Sequence, residues 1–297
     1  MFWSHAMPAK KSFVLAASFS PSFAMVDGSH YTARARSAQQ LARWALLAFA
    51  ALLALLAALL PPVQQLAHYH DFADQRSLLG LPNAMDVLTN LCFLAAAIVI
   101  ARAMRQYRRA MQRAHVRIMP LWWHLCGLAA LGFAATALGS GIYHLQPNDA
   151  GVLWDRLAMG IVFAAIVGLA VRQIACDASA LLATALTFAA SCASLAVWHA
   201  TGNFTPWSVL QGGGMALLLA IGLGTRLGLP RSAGMPALGL LAIIGWYLLC
   251  KVCELGDHAL FEASAGLISG HSLKHVLAAA AGWPIARMLY NATPMRR

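Results

Sequence analysis

Long apolar runs separated by short polar stretches dominate the chain. A helix needs about 20 mainly apolar residues to cross a bilayer. Eight runs reach that length, near 42–62, 83–103, 120–143, 155–173, 178–198, 208–226, 237–256 and 271–290. Periodicity adds little in runs this uniformly apolar, so length and edges carry the reading. Pro62, Pro82, Pro120 and Pro236 stand at run edges, where helix breakers belong. No run repeats another and no second domain stands out. The pattern predicts an all-α fold, a polytopic transmembrane helical bundle of eight spans. Residues 1–40 differ: they mix Lys10, Lys11, Arg34 and Arg36 with Ser, Ala and Gly. The stretch 12–25 resembles a weak signal-peptide core, but the segment reads better as a disordered, basic cytoplasmic tail.

Composition strengthens the membrane reading. Of 297 residues, 60% are hydrophobic and only 10% charged, against about 25% charged in ordinary soluble domains. Mean hydropathy is +0.66. The net charge of +11 would suit nucleic acid, but the basic residues sit in short loops between spans and no nucleic-acid motif accompanies them. With the N-terminus inside, all 21 Lys and Arg except Arg76, Arg156, Lys251 and Lys274 fall on the inner side. Short inner loops rich in Lys and Arg are the usual arrangement, so both termini are expected to be cytoplasmic. The six cysteines, including the Cys250–Cys253 pair inside a span, read as packing residues with no disulfide framework.

That orientation gathers polar groups at the other side. Every acidic residue except Asp27 and Asp177 lies at or beyond the outer ends of the spans, as do His144, His271 and His275. Ionisable groups within spans are costly and usually functional. His271 and His275, four apart, share a helix face and can reach one ion. Ser140 and His144 repeat the spacing at the end of the third span. Three histidine nitrogens with an open fourth position describe catalytic zinc, whereas structural sites are closed by four ligands. Asp155 follows eleven residues after His144, beyond a loop containing Pro147, Asn148 and Gly151 that can turn it back. A carboxylate there can take a proton from metal-bound water, and Ser140 can donate to a substrate carbonyl. Taken singly, His144, Asp155 and Arg156 could also be ordinary interfacial residues.

Further polar residues flank this group. Asn83, Asp86, Thr89 and Asn90 descend one side of the second span and can support the ligands from behind, or simply join helices. Lys251, Glu254 and Asp257 end the seventh span, with a Lys251–Glu254 pair or an Asp257–imidazole bond as options. His199 reads as interfacial; His68, His70 and His115 read as solvated.

The stretches GSGIYHLQPNDAGVLWDRLAM, PNAMDVLTN and SGHSLKH together resemble the alkaline ceramidase family, within a superfamily of seven-span membrane hydrolases that includes adiponectin-receptor-like proteins. The likeness covers about 68–290, nearest to bacterial ceramidase-like members. It implies a seven-span hydrolase domain at 67–292, preceded by an extra span within 41–66 and followed by a basic tail at 293–297. It also implies zinc on His144, His271 and His275, with Ser140 and Asp155 catalytic. Asp86, Asn90 and Asp257 would stand behind these. Animal members carry a calcium site, and Asp71, Asp74 and Asn83 fall at matching positions. Arg76, however, occupies a ligand place, and Phe72 replaces a tryptophan. A cation beside the site lowers calcium affinity, which argues against calcium here. Ala158 stands where bacterial relatives tend to have proline.

The expected activity is zinc-dependent hydrolysis of the N-acyl bond of ceramide or a related N-acyl lipid, giving fatty acid and a lipid amine. The expected location is the bacterial inner membrane, with the site near its periplasmic face. The alternative is a zinc-binding membrane receptor or structural protein without catalysis. A transporter would need polar residues continuing to the inner side, where the spans are nearly free of acids.

Overall fold

The computed structural model describes residues 28–116 and 119–294. Among them there are eleven helices and no strand. The first, α1 (Gly28–Leu59), leads through an extended segment to α2 (Ala84–Thr89) and α3 (Leu91–Arg113), which continue one another across a break at Asn90. Then come α4 (Leu121–Leu145), α5 (Asp149–Ile174), α6 (Asp177–Thr201) and α7 (Thr205–Arg226). The chain ends with α8 (Leu240–Leu255), the short α9 (Asp257–Ala263), α10 (Gly270–Ala280) and α11 (Trp283–Ala292).

Among the described residues, six helical stretches are long and apolar enough to cross a membrane: Ser37–Leu59, Ala84–Arg113, and α4 to α7. The last two expected spans are built otherwise. Helix α8 has only 16 residues. The run 271–290 is not one helix but α10 and α11, of 11 and 10 residues. Pro284 explains the break: it has no N–H to offer Ala280, and its ring crowds that carbonyl. The chain tightens before it, with Ala281 N–H on Ala278 O at 3.2 Å and Gly282 N–H on Ala279 O at 3.0 Å.

The expected tail over 1–40 also needs correction. Residues 28–40 are helical, because 32–43 is rich in Ala, Arg and Gln, strong helix formers with no breaker before the apolar run. Residues 1–27 lie outside the described residues, as do 295–297 of the C-terminal tail. All six cysteines are free.

Helix α5 is the hub. Its apolar window is 61% buried, against 0% for α1. Small residues on it, Gly160, Ala164, Ala165 and Gly168, let neighbours approach. Its start is set by Asn148, whose Oδ1 accepts from Gly151 N–H at 2.8 Å, with Asp149 in the first turn. A Cβ at Gly139 would meet the Trp154 carbonyl oxygen at 3.0 Å. The missing side chain therefore lets α4 and α5 close up at Ser140 and Asp155. The main core includes Ile100, Cys126, Leu169, Ile285 and Leu289. A separate cluster of Phe72, Tyr143, Val152 and Trp198 lies at the end that carries the histidines.

Candidate metal centre

His144 comes from the last turn of α4, and His271 and His275 from the first two turns of α10. All three are buried. One ring nitrogen from each lies within 4.8 Å of the others. Among the described residues this is the one group of three or more His, Cys, Asp or Glu side chains that can hold a metal ion. The Nε2 atoms of His144 and His271 face each other at 3.3 Å. A single shared hydrogen can satisfy two facing imidazole nitrogens, but not three meeting at one place. A cation satisfies all three lone pairs, so the donor set fits a metal ion.

The surroundings choose which nitrogen of His275 is free. Thr89 Oγ1 donates its one hydrogen to Met85 O at 2.8 Å, and His275 Nδ1 lies 2.9 Å from the same oxygen. With its hydrogen on Met85 O, the hydroxyl can accept from Nδ1–H, the tautomer that leaves the Nε2 lone pair open. This is the usual way a ligating histidine is oriented from behind.

Helix α10 is pinned to place both histidines. Ser269 Oγ accepts from Ser272 N–H at 2.9 Å and caps the helix. Asp257 Oδ1 accepts from the backbone N–H of His271 at 2.7 Å. Sequence reasoning offered Asp257 a bond to an imidazole; the carboxylate instead takes the amide of the same residue. The reason is position: Asp257 opens α9 directly in front of the α10 N-terminus, where unpaired N–H groups attract a carboxylate. A Cβ at Gly270 would overlap the Cys253 carbonyl oxygen, so only glycine permits this approach of α10 to α8. Asp86 Oδ1 accepts from Ser272 Oγ at 2.6 Å and Ser269 Oγ at 3.4 Å, tying α2 to α10. Asn90 donates to Asp86 O at 2.7 Å and thus supports α2 rather than an imidazole.

Ser140 and Asp155 are both buried, with the hydroxyl near the carboxylate. Next to them, the Arg156 guanidinium is boxed by Tyr69, Trp198 and Phe204, at 4.8, 4.7 and 4.4 Å from the ring centroids. Glu254 links Lys251 and Lys274 at 2.5 and 2.9 Å. The Lys251 half of that cluster is legible in sequence. Lys274 joins it because α8 and α10 pack side by side.

The implied calcium ligands do not form a cation site. Both oxygens of buried Asp74 are taken by Arg76, at 2.7 Å from Nε and 2.6 Å from Nη2. That guanidinium holds the Asp74 carboxyl below its ordinary range. Asp71 accepts from Gln75 at 2.8 Å. Asn83, in the left-handed region at φ 43°, donates to His144 O at 2.9 Å. Calcium does not fit this donor set: a guanidinium already neutralises its central carboxylate.

Two neighbours were not visible in sequence. Phe72 lies on the rings of His144 and His271, with centroids 4.7 and 4.3 Å away. His70, expected to be solvated, is half-buried and bonds Tyr143 Oη at 2.8 Å and Asp149 Oδ1 at 3.1 Å. The extended segment before α2 folds back over the helix ends, which no local pattern announces. No protein-family model, no curated protein and no solved structure matches this chain.

Proposed function

We propose that the protein is a zinc-dependent intramembrane amidase, resembling the alkaline ceramidases, that hydrolyses the N-acyl bond of ceramide or a related N-acyl lipid. The observation that carries this reading is the convergence of three buried imidazoles. The Nε2 atoms of His144 and His271 meet at 3.3 Å, and one nitrogen of each of the three histidines lies within 4.8 Å of the others, a donor set of the kind that holds zinc. His144, His271 and His275 would hold the ion. When bound there, it supplies Lewis acidity and a water acidified to near neutral pH.

The chain's own groups do the rest. Asp155 accepts the proton of the attacking water and returns it to the departing amine nitrogen. Ser140, near Asp155, turns its hydroxyl to the amide oxygen as negative charge builds there. The products are a fatty acid and a lipid amine. An apolar cavity of about 130 Å³ supports an acyl substrate. It is lined by Thr136, one turn from Ser140, Met159, one turn from Asp155, and Phe93, whose ring centroid lies 5.8 Å from that of His275. The distribution of Lys and Arg favours a site at the outer face of a bacterial inner membrane, with both termini cytoplasmic.

A second reading, a zinc-binding receptor or structural protein without catalysis, is favoured by Phe72, which covers two of the three rings. Released fatty acid separates the two. Purified protein is incubated with a panel of N-acyl lipids, with and without a zinc chelator. Chelator-sensitive release of fatty acid is expected. Asp155→Asn should keep its metal and lose about 10²–10⁴-fold in turnover. Normal turnover in that variant removes Asp155 from its role, and no release from any lipid leaves the non-catalytic reading.

A further inference from the structure

The segment from Asp71 to Asn83 crosses the histidine centre, and its fastenings are unusual. Phe72 rests on His144 and His271. The next residue, Ala73, donates its N–H to Asp257 Oδ2 at 3.0 Å, and the other oxygen of that carboxylate holds the backbone of His271. Asp74 is fully buried, and its carboxylate accepts one backbone N–H, that of Arg76 at 3.2 Å. What balances it is the Arg76 side chain, two residues away, in a two-pronged pair. Such forked pairs are the strong form of charge-assisted hydrogen bond.

Arg76 reaches further. Its Nη2 also donates to Leu267 O at 3.1 Å, in the loop that leads into α10. Its guanidinium lies over the Phe261 ring of α9, at 5.2 Å. Its own carbonyl accepts from Ala84 N–H, the first residue of α2, at 3.0 Å. One residue thus joins the segment carrying Phe72, the start of α2 and the approach to α10, and all three border the imidazoles.

We propose that Arg76 is a positioning residue: its guanidinium balances the buried Asp74 carboxylate from within the chain, and so straps Phe72 down over His144 and His271. A divalent ion in such a place would make the strap depend on its concentration. A covalently attached cation makes it permanent, and indifferent to calcium. This holds whether or not the histidine centre is catalytic.

The test uses the full chain in detergent or nanodiscs. Hydrogen–deuterium exchange is followed in peptides covering 71–84, with peptides of α5 as the internal measure of intact folding, and melting is recorded with added calcium and with EGTA. In the wild type, 71–84 should exchange slowly and melting should respond to neither addition. Arg76→Met keeps much of the side-chain packing but removes the charge; it should expose 71–84 to fast exchange while α5 stays protected. Arg76→Lys, which restores the charge without the fork, should recover part of the protection. Should Arg76→Met fail to fold, Asp74→Asn deletes the same pair from the other side and should loosen the same peptides. The proposal is overturned if calcium raises wild-type melting and EGTA lowers it. It is equally overturned if the charge-deleting variant that folds leaves 71–84 as protected as before.

Discussion

Two buried polar clusters sit at the same end of the bundle and could be mistaken for one another. One is the trio His144, His271 and His275; the other is Arg156 among Tyr69, Trp198 and Phe204. Both are enclosed, and both would be flagged by sequence as polar residues where apolar ones are expected. They differ in what is left over. Arg156 is a permanent cation with three aromatic faces around it; its Nη2 donates to Gln65 Oε1 at 3.0 Å, and what is left over is a donor, the buried Nη1, not a lone pair. Aromatic faces stabilise a desolvated cation without directing it at anything else. In the histidine trio the supporting bonds do the reverse. Thr89 uses one nitrogen of His275 and leaves the other facing its partners, while His144 and His271 point nitrogen to nitrogen. Buried polarity alone does not mark a functional site; unspent lone pairs aimed at one point do.

That contrast can be broken by experiment, and the largest effect comes first. His271→Ala or His275→Ala removes one of three converging donors. Metal affinity should fall by more than about 100-fold, beyond the range seen when only a supporting residue is lost. Metal per protein, measured by mass spectrometry after dialysis, reads this directly. Full occupancy in either variant would mean that the trio is not the centre.

Arg156→Ala tests the other cluster. It empties the aromatic box and should cost about 2 kcal/mol or more in folding stability, from lost cation–π contact and the cavity left behind. Metal content should be unchanged. If the metal were lost together with stability, the two clusters would have to be treated as one unit.

Thr89→Val sharpens the comparison from the histidine side. The shape is kept, but His275 Nδ1–H loses its acceptor. Metal affinity should drop about 10-fold, with stability changed by only about 1 kcal/mol. An unchanged affinity would show that the orientation of His275 is set elsewhere.

The smallest effect concerns pH. Arg76 holds the folded pKa of Asp74 below the ordinary 3.8. The unfolded chain therefore takes up this proton at a higher pH than the folded one. The stability the pair contributes is complete above the ordinary carboxylate range and is lost as pH falls through the folded value. Melting should decline as pH falls below the ordinary carboxylate range, and Asp74→Asn should flatten that decline. An equal slope in the variant would assign the acid sensitivity to other carboxylates.

Much of this organisation is legible in the residues. Apolar runs of spanning length give the helices, since twenty apolar residues have few other places to go. The i and i+4 pairing of His271 with His275 follows from helix geometry alone. The gathering of acids and histidines at one end follows from the distribution of Lys and Arg. The last run reads as one helix by hydropathy, yet Pro284 stands inside it and divides it into α10 and α11. Asp257 holds the backbone of His271, and that partner depends on how α9 turns into α10.

Sequence by itself determined that this chain is an all-helical bundle of apolar segments and which residue types could hold a metal, because both depend on local composition and on spacing within one helix. Only the tertiary structure decided that α4 and α10 meet, so that His144 completes the pair on α10, and that Phe72 and Arg76 close over them. Those contacts join residues 61 to 199 positions apart, as Asn83 to His144 and Phe72 to His271 show. They rest on small residues such as Gly139 and Gly270, whose value lies in what they allow a neighbour to approach.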